Sequence, residues 1–184
     1  VSTRDLWLAE GTAVLTLEGP DGVRIDRLAA RLGLSKGSFH HHFAGMDGYR
    51  KALLDRIELA QLNILDQAAA AVADIDPVDA LRSLPTRLDD LFDADLDRAL
   101  RAWAVSDDTA AAVLARLDTA RLAFIEALWR RALDDTGRAH TAALLPHLLL
   151  IGANAALPPI DAKSRRAVFD LLAELIPSVR SPEA

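Results

Sequence analysis

The sequence predicts an all-α protein of about nine helices on three observations. Alanine and leucine dominate, β-branched residues are few, and aromatics make up only 5% of the 184 residues. That composition favours helix over sheet. Apolar residues recur at helical spacing through nearly every segment. The breaks between segments carry residues that stop and start helices, at Gly19-Pro20-Asp21-Gly22, Gly33, Asp76-Pro77 and Pro158-Pro159.

In the first helix Ser2 or Thr3 serves as cap, and Trp7, Leu8, Gly11, Val14 and Leu15 form an i, i+4, i+7, i+8 stripe. A second, short helix spans about Asp26–Leu32 with Ile25, Leu28, Ala29 and Leu32 inward, and Gly33 supplies its left-handed C-terminus. Ser35 caps a third over about Lys36–Phe43, and Asp47 is expected to cap a long fourth that runs to about Ala73. Asp76 caps a fifth with Pro77 in its first position, and Pro85 bends it or sits within its first turns. Further helices are expected over about Asp93–Val105, Asp107–Asp134, Arg138–Leu157 and Ala162–Ile176, with a frayed tail from Pro177.

Composition bounds the function. With 51% hydrophobic and 26% charged residues the chain can bury a sizeable core and is not a disordered one. The absence of cysteine excludes disulfides, Cys-ligated zinc, iron–sulfur clusters and thiol catalysis. No apolar run reaches the ~20 residues of a membrane span, and the first residues do not read as a signal peptide, so a cytoplasmic protein is the expectation. The net charge of −6 argues against nucleic acid as a partner. It is unevenly spread, however: residues 1–56 carry +1 and residues 57–184 carry −7. Two domains with different partners are expected, 1–48 and 49–184.

The informative stretch is Ile25–Phe43. Two short helices meet at Gly33-Leu34-Ser35, and the second opens with the small polar run Ser35-Lys36-Gly37-Ser38. A helix-turn-helix needs this arrangement: a tight turn, then a helix whose slim front enters the major groove, about 12 Å wide. A generic helical hairpin is the plainer alternative, but it does not call for this turn and this ending together.

At these residues the sequence resembles the tetracycline-repressor (TetR) family of bacterial transcriptional regulators. The resemblance rests on Gly19, Leu28-Ala29, the run from Gly33 to Phe39, His41-His42-Phe43 and Asp47, and covers about residues 4–56. It implies an N-terminal three-helix helix-turn-helix DNA-binding domain followed by a helical ligand-binding and dimerisation domain. It also implies DNA contacts from Ser35, Lys36, Gly37, Ser38, His40 and His41, while Phe39 and Phe43 anchor the reading helix. Three residues depart from the family's pattern. His40 replaces the usual tyrosine, which makes a phosphate contact pH-sensitive. Arg24 replaces a capping threonine and offers a phosphate contact instead, and Met46 replaces an expected lysine. The sequence also starts without the basic arm that many members carry. Modest affinity and a shallow salt slope are therefore expected.

Other motifs are weaker. His40-His41-His42 cannot converge on one metal ion, because consecutive helical residues point about 100° apart. Asp93-Ala94-Asp95-Leu96-Asp97 lacks the glycine and the glutamate of a calcium loop and reads as ordinary capping. No nucleophile, base or metal set converges, so neither catalysis nor a cofactor or metal is expected. Phe92, Trp103, Leu117, Arg121, Phe124 and His147 are the candidates to line a pocket for an unknown, mostly apolar effector, each with core or surface packing as the plainer reading. Leu144, Leu148, Ile151, Gly152, Ala155, Val168, Leu171, Leu172 and Leu175 are the candidate homodimer face, against burial within one chain. The expected function is a ligand-responsive regulator, a repressor, that binds a palindromic double-stranded DNA operator as a homodimer and is released by its effector. The alternative is a helical small-molecule-binding or interaction protein with a weak head.

Overall fold

The computed structural model describes residues 2–174, whose regular elements are all helical: nine α-helices of seven residues or more, one of four, and two 3₁₀ turns. Contacts divide the chain into two compact units: residues up to Asn63 with Ala94–Leu117, and Ile64–Asp93 with residues from Asp118 on. This cut differs from a boundary at residue 48. No helix among the described residues is long and apolar enough to cross a membrane.

The first unit begins with α1 (Thr3–Glu18), capped by Ser2 in a reciprocal box with Asp5. It buries Trp7, Leu8, Gly11, Val14 and Leu15, the stripe that the sequence predicts. After a 3₁₀ turn over Pro20–Gly22, α2 (Ile25–Leu32) ends at Gly33, whose φ of 64° and ψ of 28° only glycine adopts without strain. α3 (Lys36–His42) follows, with the Ser35 hydroxyl accepting from the Ser38 N–H at 3.2 Å. α4 (Gly45–Ala71) starts two residues before the expected cap: Gly45, at φ 75°, turns the chain, and Asp47 lies in the first turn, where its charge suits the helix dipole. α7 (Ala94–Ala104) and the first part of α8 (Asp108–Ala132) complete this unit, with α7 packed on α1.

Its core is aromatic where the helices meet. The Phe39 ring stands edge-on to Trp7 at 5.3 Å between centroids, and Phe43 lies at 90° to Tyr49 at 4.9 Å. Such pairs contribute about 0.5–1.5 kcal/mol beyond their burial. The Tyr49 hydroxyl donates to the Trp7 carbonyl at 2.7 Å from a fully buried position, and burial pushes its pKa upward. It reaches that carbonyl over Gly11, where a Cβ would overlap the hydroxyl oxygen and stand 3.0 Å from Cζ.

The second unit holds the end of α4, α5 (Pro77–Ser83), a 3₁₀ turn over Leu84–Arg87 containing Pro85, α6 (Leu88–Leu91), the rest of α8, α9 (Thr136–Ala155) and α10 (Ala162–Glu174). Asp76 caps α5 as expected, and Pro85 marks the break after it. α9 starts before the expected Arg138, because Asp135 caps it by accepting from the Gly137 and Arg138 N–H groups at 2.9 and 3.1 Å. Arg131 on α8 donates to the Val72 carbonyl at 2.9 Å and the Ile75 carbonyl at 2.6 Å, which closes the exposed C-terminal end of α4.

The Tyr49–Gly11 fit predicts a coupled pair of variants. Gly11→Ala costs about 1–3 kcal/mol of stability by overpacking, and Tyr49→Phe costs about 1 kcal/mol through the lost hydrogen bond. In the Tyr49→Phe background the alanine costs less, because the atom it strikes is gone. Urea unfolding of the four proteins reads the coupling, and strict additivity contradicts the fit.

Candidate nucleic-acid interface and effector cavity

The helix-turn-helix follows from local chemistry. Gly33 closes α2, Leu34 packs partly buried against the head core, and Ser35 opens α3. Phe39 is fully buried and Phe43 is 5% exposed, so α3 is held to the core by its second half. Its first half faces out. Ser35, Lys36 and Gly37 are exposed, Ser38 is half-buried, and His40 and His41 are exposed beyond them. Arg24, at the N-terminal end of α2, is exposed too, and its Nε donates to the Asp21 carbonyl at 2.8 Å. Of the seven residues assigned to DNA from the sequence, six are exposed and Ser38 is half-buried.

Charge on this head is neutralised in exposed pairs. Lys36 pairs with Asp26, Arg27 with Glu18, Arg31 with Glu10 and Glu18, and Lys51 with Asp55 at 2.7 Å. Exposed pairs of this kind are worth about 0–1 kcal/mol and exchange readily for a phosphate. The histidines stack instead: His40 stands edge-on to Phe39 at 5.5 Å and His41 to His42 at 5.0 Å.

The second unit encloses a cavity of about 250 Å³. One wall is Leu81, Leu84, Pro85, Leu88, Leu91 and Phe92; α8 supplies Arg121, Phe124, Ile125 and Trp129; α9 and α10 supply Leu145, Pro146, Leu150, Phe169 and Leu172; and Leu65 comes from α4. Among the described lining residues, Arg121 alone is charged. It is 7% exposed, its Nη1 lies 3.2 Å from Asp118 Oδ1, and its guanidinium sits 5.0 Å from the centroid of the Phe92 ring. Two further arginines tie two wall elements together: Arg165 and Arg166 on α10 bond Asp89 on α6 at 3.1 and 3.0 Å. Arg166 first, and then Arg165, holds the Asp89 carboxyl below the usual aspartate range.

Of the six residues expected at a pocket, Phe92, Arg121 and Phe124 line this cavity. Trp103 and Leu117 are instead packed into the core of the first unit, because α7 and the front of α8 belong to the head. His147 is buried on α9 but is not part of the lining. The wall from Leu81 to Leu91 was not anticipated, although Leu81, Leu84, Leu88 and Leu91 stand at 3-4-3 spacing that marks one helical face. Of the candidate dimer residues, Leu148, Leu171 and Val168 are 60%, 57% and 45% exposed. Gly152 and Ala155 are exposed beside Leu148 on α9, Leu144 and Ile151 are half-buried, and Leu172 turns to the cavity. Leu175 lies outside the described residues.

Residues 8–53 match the family model of bacterial regulatory proteins, tetR family. A transcriptional regulator from Rhodococcus sp. Rha1 is 17% identical over 95% of this chain and 96% of its own, with a TM-score of 0.67. The reduced form of Escherichia coli NemR is 18% identical over 93% of this chain and 97% of its own, with a TM-score of 0.71. A TetR-family member from Streptomyces coelicolor A3 is 21% identical over 93% and 98%, with a TM-score of 0.58. At such identities the likeness establishes the fold. No curated protein matches the sequence. Residues 8–53 thus resemble the head of the tetR family of bacterial regulatory proteins, and the chain shares its fold along nearly its whole length with these solved structures.

Proposed function

We propose that the protein is a cytoplasmic transcriptional repressor that binds a palindromic DNA operator as a homodimer and is released by a small, mostly apolar effector. The observation that carries this reading is the outward front of α3, Ser35-Lys36-Gly37, held on a head whose core fixes Phe39 and Phe43 behind it. A slim, polar helix front on a rigid base is what base edges and phosphates in a major groove require. In this reading residues 1–48 read DNA, and residues 49–184 serve effector binding and dimerisation.

Dimerisation uses the exposed apolar stripe of α9 and α10, with a second copy of this chain as its cover. Leu148, Val168 and Leu171 offer large apolar surface, and Gly152 and Ala155 allow close helix approach. Two heads on one duplex read two half-sites one turn apart, about 34–36 Å.

Effector response runs through helices that serve both units. α4 carries Tyr49 and Leu53 in the head core and Leu65 on the cavity wall. α8 carries Val113 and Leu117 in that core and Arg121 and Phe124 on the wall. A ligand that binds better to a shifted setting of either helix lowers operator affinity, by no more than its differential affinity for the two settings.

Two predictions test the reading. Against a duplex selected from a random library, Lys36→Ala weakens binding across all sequences and reduces the salt slope by about one, whereas His41→Ala costs about 1–3 kcal/mol and relaxes preference at one base pair. Fluorescence anisotropy measures both. A wild type that binds selected and scrambled duplexes equally removes the DNA-reading role and leaves a helical ligand-binding protein. Leu148→Arg with Leu171→Arg turns a sedimenting dimer into a monomer and lowers operator affinity. A wild type that sediments as a monomer at micromolar concentration contradicts the assigned face.

A further inference from the structure

We propose that the cavity of the second unit takes a small carboxylic acid, its chain seated among the leucines and phenylalanines and its carboxylate docked on Arg121. The proposal rests on the reading of this cavity as a ligand site, and names the class of ligand.

Arg121 is the only charged side chain among the described lining residues, at 7% exposure, in a wall otherwise made of leucine, phenylalanine, isoleucine, alanine, proline and tryptophan. Holding a guanidinium away from water in apolar surroundings is costly, and a hydrophobic residue of similar volume commonly packs there with no loss of stability. Asp118, one turn earlier on the same helix, holds Arg121 in an i, i+3 pair with Nη1 3.2 Å from Oδ1. Phe92 supports the flat guanidinium from one side at 5.0 Å. That support and the Asp118 carboxylate fix the plane of the fork, and a planar fork recognises carboxylates. The ligand adds to the Asp118 contact and does not replace it.

Size and sign then narrow the class. A volume of about 250 Å³ lies near the small end of ligand pockets, which run to about 300–1,000 Å³, and suits a small ligand. A neutral ligand gains only apolar burial, and a lipophilic cation meets a like charge at the wall. A monocarboxylate with a straight chain or a single ring gains both burial and a charge-assisted bond.

The test is calorimetric titration of the full chain, without DNA, with three probes of equal chain length: octanoate, octanol and octylamine. Octanoate is expected to bind about ten- to hundredfold more tightly than octanol, the range of a hydrogen bond to a charged group, and octylamine most weakly. Arg121→Met is expected to bring octanoate to the affinity of octanol and to leave octanol within about twofold. Arg121→Lys, which keeps the charge and loses the fork, retains part of the preference. Circular dichroism shows whether each variant folds; if Arg121→Met does not, the wild-type series and Arg121→Lys decide. Octanol binding as tightly as octanoate, or Arg121→Met binding octanoate like the wild type, overturns the acidic-ligand assignment and leaves the cavity a ligand site. Failure of all three probes to bind removes the ligand site as well.

Discussion

The Tyr49 hydroxyl, passing over Gly11 to the Trp7 carbonyl, is the contact on which the head depends. It ties α4 to α1 at Gly11, where the tyrosine ring leaves no room for a further side chain. Trp7 and Tyr49 then form two sides of the ring cluster that receives Phe39 and Phe43. α3 packs on α2 and α1 as well as through those rings, so its setting is shared among the three, and the outward front at Ser35-Lys36-Gly37 follows from burying its second half. A seven-residue helix has little intrinsic stability. The aromatic anchor supplies what helix propensity does not, and leaves the polar front free of packing duties.

The second unit solves a different problem. Its apolar helix faces do not close on each other completely, and the described residues bounding the space left are leucines, aromatics and other apolar side chains, with Arg121 as the one cation. Asp89 clamps α10 to α6 through two arginines, so the walls are held by polar bonds at the rim. A unit held in this way keeps an internal volume that a fully interdigitated core would fill.

Much of the head was legible in the sequence, because each decisive residue acts locally. Ser2, Gly33 and Ser35 set helix ends through their own backbone or hydroxyl, and the Trp7–Leu15 stripe has one face to bury. The cap of α4 was misread at Asp47, because the turn is made by Gly45 at positive φ, two residues upstream. The cavity was legible only in part. Phe92, Arg121 and Phe124 follow from their placement on middle helices, but whether Trp103 and Leu117 face the cavity or the head depends on where α7 and the front of α8 pack. That is a long-range matter, invisible to periodicity. The Leu81–Leu91 wall carried a readable 3-4-3 signal, which Pro85 obscured by breaking the helix in its middle.

Hydrogen–deuterium exchange on the full chain, with and without a duplex selected from a random library, tests the central claim most directly: the core-held front of α3 is the surface that meets DNA. The account predicts that the duplex slows exchange of the amides from Ser35 to Phe43 and leaves those from Leu81 to Leu91 unchanged. Bound duplex with no slowing between Ser35 and Phe43, or with slowing confined to the second unit, contradicts it.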